Sequence, residues 1–160
     1  MNIAIIDDIA SDAEQVKRII TSYFENRQIP TEIRYFSSAE AFFDDYRPGN
    51  FQILFLDIYM DGITGMEAAR RIRNQSDDCI LVFVTTSSEF AVESYDVNAA
   101  YYLLKPFQPE KLCQILDSFR LKEALHARYI EIISDRVPVR VPLHSILYAD
   151  TFRNAVCLHT

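Results

Sequence analysis

Polar side chains follow several short apolar runs of this chain, each at the point where a run ends. Asp7 and Asp8 come directly after residues 3–6, and Asp57 comes after residues 53–56. Unbroken apolar runs of this length are typical of strands that are buried on both faces, as in a parallel sheet. Because ligands of open α/β sheets bind outside the carboxyl ends of the strands, the three carboxylates are candidates for one site.

Two later apolar runs end in the same way. Thr85 follows residues 80–84, and Lys105 follows residues 101–104 and precedes Pro106. A hydroxyl and an ammonium would thus join the three carboxylates at the same edge of the sheet. This combination predicts a site for a metal ion and a phosphoryl group.

Amphipathic segments separate the apolar runs, so that strand and helix alternate five times in about 125 residues. Such alternation predicts an α/β fold, a flavodoxin-like, doubly wound (βα)5 domain with a parallel five-stranded sheet. Right-handed crossovers and the strand order 2-1-3-4-5 would place the first and third strands side by side. Asp7, Asp8 and Asp57 then converge because of the topology.

Three local expectations accompany this fold. Ser11 and Asp12 are expected to cap the first helix, since Ser and Asp side chains accept hydrogen bonds from helix amides. A fourth helix is expected near residues 88–96, before the strand at 101–104 and a long fifth helix near 108–126. The third helix is expected to turn its arginines to solvent, namely Arg70, Arg71 and Arg73.

The carboxylate cluster has the ligands of a hard cation. It contains oxygen donors without His or Cys, which suits Mg²⁺ or Mn²⁺. We expect Asp8 and Asp57 to bind the ion directly and Asp7 to bind it through water. The backbone carbonyl of Tyr59 could supply a further oxygen.

Asp57 is the best candidate for a nucleophile, because a carboxylate can attack a phosphoryl donor and form an aspartyl phosphate. Lys105 would neutralise charge on the transferred group, and Thr85 could donate a hydrogen bond to it. Each of these residues also has a structural alternative, because an Asp or Thr after a strand can cap a helix and a Lys-Pro pair can form a plain turn.

The composition restricts the location and partners of the chain. The net charge is −7, and its acidic excess lies in residues 1–126, which should repel nucleic acid. No apolar stretch is long enough to cross a membrane. Three scattered cysteines without CxxC spacing predict a reduced, cytoplasmic protein.

The pattern changes near residue 127. Four short β-rich segments follow without helices between them, which predicts antiparallel hairpins. The segment is too short to bury a core of its own. We therefore interpret residues 128–160 as the first part of a second domain, joined to the first by a linker at 123–127.

The motifs of residues 1–122 resemble the receiver domain of two-component response regulators. They are Ile5-Ile6-Asp7-Asp8, Leu56-Asp57-Ile58-Tyr59-Met60, Gly65, Val84-Thr85 and Leu104-Lys105-Pro106-Phe107. The resemblance implies that Asp57 is phosphorylated by a sensor histidine kinase, that Thr85 and Tyr102 act as switch residues, and that Lys105 binds phosphate. It also implies a cis Lys-Pro bond. Asp61 and Thr64 depart from the family pattern in the loop beside the metal.

The tail resembles the start of a LytTR-type DNA-binding domain. The match covers Val141-Pro142-Leu143, Ile146-Leu147-Tyr148 and 154–160. Arg153 and Asn154 could contact DNA, or they could form a simple hairpin turn. The resemblance implies DNA binding only through a complete carboxyl-terminal domain.

The function that fits best is a phosphorylation-controlled transcription regulator that is not an enzyme beyond its own phosphotransfer and dephosphorylation. Homodimerisation through the fourth helix, fifth strand and fifth helix is a further hypothesis, motivated by charged residues there, namely Glu93, Asp96, Lys111 and Arg120. Alternatives are a receiver that acts by protein contact alone and a metal-dependent phosphohydrolase. The phosphohydrolase would need an acid two residues after its nucleophile, and that position is Tyr59.

Overall fold

A five-stranded parallel sheet forms the centre of the first part of the chain. The computed structural model describes residues 1–75, 79–126, 129–134, 137–142, 146, 148–152 and 155–159. The elements up to residue 126 are β1 Asn2–Ile6, α1 Ala10–Glu25, β2 Glu32–Phe36, α2 Ala39–Asp45, β3 Ile53–Leu56, α3 Gly65–Asn74, β4 Ile80–Thr85, a 3-10 turn Glu93–Tyr95, β5 Tyr101–Leu104 and α4 Pro109–His126. The order β2-β1-β3-β4-β5 confirms the predicted doubly wound fold.

The central strands are buried on both faces, which explains their continuous apolar sequences. Alternate residues pack with α2 and α3 on one face of the sheet, namely Ala4, Ile6, Leu54, Leu56, Leu81 and Phe83. Because side chains alternate along a strand, Ile5 and Phe55 point to the opposite face, and they too are at most 2% exposed. Either face would be left exposed to water without its helices.

The backbone hydrogen bonds of the sheet continue as far as the polar residues at the strand ends. Ile6 of β1 pairs with Leu56 of β3, and the amide of Asp57 then donates to the carbonyl of Ile6 at 2.9 Å. At the other side of the sheet, the amide of Lys105 donates to the carbonyl of Thr85 at 2.7 Å. The polar residues are therefore held by sheet hydrogen bonds as well as by the loops that follow.

The expected fourth helix near 88–96 is wrong. The segment consists of turns with one short 3-10 helix, Glu93–Tyr95. The hydroxyl of Ser94 donates to the carbonyl of Ala91 at 2.7 Å, and this local hydrogen bond competes with helix formation. Most backbone hydrogen bonds here span three residues, as from Asp96 to Glu93, so the segment keeps 3-10 geometry.

The expected cap of α1 is also wrong. Ile9 occupies the cap position without a side-chain hydrogen bond, and the helix begins at Ala10. The carboxylate of Asp7 accepts the amide of Ile9 at 2.9 Å, which holds the chain in place just before the helix. Asp12 consequently lies in the first helical turn, where its side chain is free to point elsewhere.

One of the three arginines of α3 does not face solvent fully. Arg70 and Arg71 are exposed as expected, whereas Arg73 is half-buried. Its guanidinium donates to the carbonyls of Val97 at 2.8 Å and Asn98 at 3.3 Å. Arg73 thus provides hydrogen-bond donors for two carbonyls that directly follow the irregular segment.

The chain divides into two compact units, Met1–Cys113 and Gln114–Thr160. The second unit contains the rest of α4 and the predicted antiparallel hairpins, formed by β6 Tyr129–Ser134 with β7 Val137–Pro142 and by β8 Tyr148–Phe152 with β9 Ala155–His159. Arg153 and Asn154 lie outside the described residues. In the described part of the chain, no helix has the length and apolar character that a membrane crossing requires.

Candidate functional site

Three carboxylates meet at the carboxyl edge of the sheet, as the topology predicted. Asp7, Asp8 and Asp57 each offer one oxygen, and these oxygens lie within 4.8 Å of one another. Asp7 is 2% exposed and Asp57 is 4% exposed, whereas Asp8 is open to solvent. Because Asp8 is exposed beside the two buried carboxylates, an ion can enter the cluster from the solvent.

Backbone amides fix the orientation of Asp57. Its Oδ1 accepts hydrogen bonds from the amides of Ile58 at 2.6 Å and Tyr59 at 3.3 Å. The second oxygen, Oδ2, is therefore directed towards the other charged groups of the site. The amide of Tyr59 faces Asp57, and a role of its carbonyl as a metal ligand stays a prediction.

Lys105 joins the carboxylates. Its Nζ lies 2.8 Å from Oδ2 of Asp7 and 3.0 Å from Oδ2 of Asp57, and its side chain is only 9% exposed. The Lys105–Pro106 peptide bond is cis, as the family resemblance implied. The structure thus brings together the lysine and the carboxylates that the sequence placed at separate strand ends.

Asp12 is a member of the site that the sequence reasoning missed. Its Oδ2 lies 2.9 Å from Nζ of Lys105, and its side chain is 30% exposed. Asp8 precedes the helix, so the four-residue spacing to Asp12 is no helical signal. The sequence reasoning assigned Asp12 to a helix cap and therefore did not place it at the site.

Burial and hydrogen bonding shift the pKa values of Asp7 and Lys105 in opposite directions. Burial raises the pKa of Asp7, and the hydrogen bonds from Lys105 and Ile9 lower it only in part, while the charge of Asp57 raises it further. Burial alone would lower the pKa of Lys105, but its hydrogen bonds to Asp7, Asp12 and Asp57 outweigh burial and raise it. The ammonium therefore stays charged at neutral pH.

Thr85 presents an unusual hydroxyl at the end of β4. Its side chain is fully buried, and its Oγ1 has no hydrogen-bond partner among the residues that the structure describes. A buried polar atom without a partner carries a desolvation penalty that a bound group could relieve. The Thr85 hydroxyl is therefore available to donate a hydrogen bond to a group that binds at the site.

Two tyrosines attach to the loop after β4. The hydroxyl of Tyr102 donates to the carbonyl of Ser87 at 2.5 Å, and the hydroxyl of Tyr59 donates to Oε2 of Glu89 at 2.8 Å. The ring of Tyr59 also packs against Phe90 with centroids 5.9 Å apart. The loop that follows Thr85 is thus linked both to β5 and to the loop after Asp57.

The loop between β3 and α3 is held by side chains on either side. Glu40 accepts the amide of Ile63 at 2.9 Å, and Thr64 forms a capping box with Glu67 at the start of α3. Thr64, which departs from the family pattern, therefore has a structural role as a helix cap.

Gly65 permits α3 to begin against the end of β3. A Cβ built on Gly65 would overlap the backbone carbonyl oxygen of Asp57. No larger side chain fits without movement of the strand end that carries Asp57. This close approach explains why glycine stands at the first position of the helix.

The donor set fits a magnesium ion. Its ligands are oxygens of carboxylates, and three negative charges at such short range repel each other unless a cation joins them. Mg²⁺ commonly binds to one or two carboxylates together with waters and phosphate oxygens. The exposed Asp8 leaves room for those additional ligands.

Comparisons with known proteins agree with this geometry. A family model described as the response regulator receiver domain matches residues 3–117. The positive alginate biosynthesis regulatory protein of Pseudomonas aeruginosa is 30% identical over 116 residues, which are 72% of this chain and 46% of that protein. Sensory transduction protein LytT of Enterococcus faecalis is 29% identical over 119 residues, 73% of this chain and 47% of that protein. The chain spans about half the length of these relatives.

Solved structures share this fold over about three quarters of the chain. The response regulatory domain of MrkE from Klebsiella pneumoniae superposes with a TM-score of 0.66 at 23% identity, over 76% of this chain and 97% of that chain. The response regulator TrrA from Thermotoga maritima, solved in complex with Mg²⁺-BeF, gives a TM-score of 0.63 at 25% identity, over 73% of this chain and 96% of that chain.

Replacing Asp7 with Asn should reveal the cost of burying a charged carboxylate at this position. Because the pKa of Asp7 is raised on folding, the free energy of unfolding of the metal-free wild type should fall as pH rises from the ordinary range of an Asp through that raised pKa. The side chain of Asp7→Asn does not titrate, so the stability of this variant should not fall with pH in the same way, and the variant should become the more stable protein as pH rises. The difference in the free energy of unfolding should be about 1.4 kcal/mol for each unit by which folding raises the pKa of Asp7.

Urea unfolding between pH 4 and pH 8 measures the difference, with Asp44→Asn as an exposed control. Added Mg²⁺ should stabilise the wild type more than Asp7→Asn. A difference between wild type and variant that does not change with pH would contradict the assignment.

Proposed function

Because this chain belongs to the response regulator receiver family, we propose that it accepts a phosphoryl group on Asp57 from a sensor histidine kinase. The observation that supports this most strongly is the contact of the Lys105 ammonium with Oδ2 of Asp57, beside a carboxylate cluster at the sheet edge. Receiver domains typically act as switches and not as enzymes of small-molecule metabolism.

The transfer requires a carboxylate oxygen of Asp57 to attack the phosphorus of a phosphohistidine. A P–O bond forms, the P–N bond of the donor breaks, and the imidazole leaves after it takes a proton from solvent. The product is an aspartyl phosphate. The amides of Ile58 and Tyr59 hold the Asp57 carboxylate in place during this step, so little reorganisation is needed.

Asp8 and Asp57 would hold Mg²⁺ or Mn²⁺ directly, Asp7 would hold it through water, and the carbonyl of Tyr59 would add a further oxygen. Receiver domains bind Mg²⁺ at an acidic pocket of this kind, and the bound ion offsets the negative charge of the incoming phosphoryl group. Lys105 contributes a further positive charge from the other side of Asp57.

Thr85 and Tyr102 would convert phosphorylation into a change of surface. The unpartnered Oγ1 of Thr85 would donate to a phosphoryl oxygen, which moves the loop that begins at Thr86. Tyr102 bonds to the carbonyl of Ser87 in that same loop and would move with it. Phosphorylation of Asp57 would thus change the conformation of the loop that begins at Thr86, which has few α-helical hydrogen bonds to resist the change.

The output of the whole protein is a second part of the proposal. The relatives include regulatory proteins, and we propose a cytoplasmic transcription regulator whose complete carboxyl-terminal domain, of LytTR type, binds DNA. Residues 1–122 would form the receiver, 123–127 the linker and 128–160 the beginning of that domain, with Arg153 and Asn154 as candidate DNA contacts. The phosphohydrolase alternative gains no support, because the position two residues after Asp57 holds Tyr59 and not a carboxylic acid, and the Tyr59 hydroxyl donates a hydrogen bond to Glu89.

Intact mass measured after incubation with Mg²⁺ and acetyl phosphate tests the acceptor. We expect one added phosphoryl group on the wild type and none on Asp57→Asn or in the presence of a chelator. Asp61→Asn is the matched control, because Asp61 is an exposed carboxylate in the adjacent loop. An adduct that persists in Asp57→Asn, or a folded wild type that takes up no phosphoryl group, would sink the proposal.

Dimerisation on phosphorylation would use the face formed by the 88–96 segment, β5 and the start of α4, the helix that was expected as the fifth. Val92 and Tyr95 are 79% and 78% exposed there, and the surface continues to Tyr101, over whose ring Lys111 lies at 5.3 Å. Sedimentation velocity with Mg²⁺ and beryllium fluoride should detect a dimer that Val92→Asp weakens at least tenfold, because a charge would enter an apolar contact. A monomer both with and without beryllium fluoride would refute this hypothesis.

A further inference from the structure

Three carboxylates surround the Lys105 ammonium. Its Nζ donates hydrogen bonds to Oδ2 of Asp7 at 2.8 Å and of Asp57 at 3.0 Å, and it forms an ion pair with Oδ2 of Asp12 at 2.9 Å. A phosphoryl oxygen that binds Lys105 must therefore compete with these carboxylates for the ammonium.

We propose that Asp12 is the carboxylate that Lys105 releases, and that Asp12 thereby restrains phosphorylation of this chain. The inference rests on the proposed function of Asp57. Asp12 is then a positioning residue, since it acts on the phosphoryl group through Lys105.

Burial distinguishes Asp12 from the other two partners of Lys105. The side chains of Asp7 and Asp57 are each 4% exposed, whereas that of Asp12 is 30% exposed. A carboxylate that leaves its partner must be hydrated or find another donor, and for a buried group this is far more costly. Asp7 also accepts the amide of Ile9, which holds it in place.

The surroundings of Asp12 provide for its release. Asp12 and Lys105 line a partly open cavity of about 180 Å³, together with Gln15, Thr86, Pro106 and Phe107. The cavity gives the carboxylate space to turn towards water. Asp12 is also the acidic residue of the first turn of α1, so the helix amides continue to stabilise its charge after it leaves Lys105.

The negative charge of Asp12 opposes phosphorylation, as does its contact with Lys105. A phosphodonor brings further negative charge to a site that already contains Asp7, Asp8 and Asp57. Asp12 adds a fourth carboxylate at hydrogen-bond distance from the lysine of that site. Removing this charge should favour the phosphorylated state by releasing Lys105 and by reducing repulsion.

The test compares Asp12→Asn with Glu14→Gln, an exposed acidic control in the same helix. At saturating Mg²⁺, Asp12→Asn should form the acetyl phosphate adduct about two- to fivefold faster than the wild type, the range expected for a partly exposed ion pair. Beryllium fluoride should bind more tightly by a similar factor. Glu14→Gln should match the wild type in both measurements.

A conservative variant separates this role from a purely structural one. Asp12→Glu keeps a carboxylate near Lys105 and should return the rate towards that of the wild type, whereas general loosening of α1 would accelerate both variants. If the wild type is phosphorylated and Asp12→Asn reacts no faster, the inference alone is overturned. A wild type that takes up no phosphoryl group, with unchanged beryllium fluoride affinity in Asp12→Asn, overturns both this inference and the proposed function.

Discussion

The site depends on the ion pairs that one ammonium group, that of Lys105, forms with three carboxylates. Lys105 lies within 3.0 Å of oxygens of Asp7, Asp12 and Asp57, and two of these carboxylates are almost completely buried. Buried like charges are unfavourable unless a cation is placed among them. The raised pKa of Asp7 indicates that the lysine compensates for burial only in part. The remaining excess of negative charge is what makes the cluster ready for a metal ion.

The parallel sheet makes this arrangement possible. Hydrophobic burial of both faces fixes the strand order and register, and the register brings Asp7 and Asp57 beside each other through the pairing of Ile6 with Leu56. Charged groups that would repel each other in a flexible chain are thus held together by apolar contacts elsewhere. Such local conflict at a functional site, supported by a consistent core, is common in natural proteins.

Much of this architecture could be predicted from the sequence because it depends on continuous apolar runs. The strands, their order and the convergence of Asp7, Asp8, Asp57 and Lys105 follow from patterns that a single chain displays. The irregular segment near 88–96 could not be predicted, because its form depends on side-chain hydrogen bonds, that of Ser94 to the carbonyl of Ala91 within it and that of Arg73 to the carbonyl of Val97 just after it. Local helix propensity contains no information on such partners.

Asp12 was missed for a related reason. A Ser-Asp pair before an apolar helix is a common cap, but the helix begins at Ala10, after Ile9 donates its amide to Asp7, and Asp12 lies in the first turn and reaches Lys105. Thr85 was placed correctly, but its unpartnered hydroxyl is a property of packing. The sequence therefore identifies the residues that follow the strands and meet at the sheet edge, whereas the structure supplies their contacts and the additional member, Asp12.

The most direct test is the stability of Lys105→Met against Lys111→Met, an exposed lysine control. Without metal, at pH 7, loss of the Lys105 ammonium leaves two buried carboxylates uncompensated, and urea unfolding should show a decrease of about 3 kcal/mol. The control should change by less than about 0.5 kcal/mol. Added Mg²⁺ should stabilise Lys105→Met more than the wild type. Equal stability of the two variants, with the same response to Mg²⁺, would contradict the account.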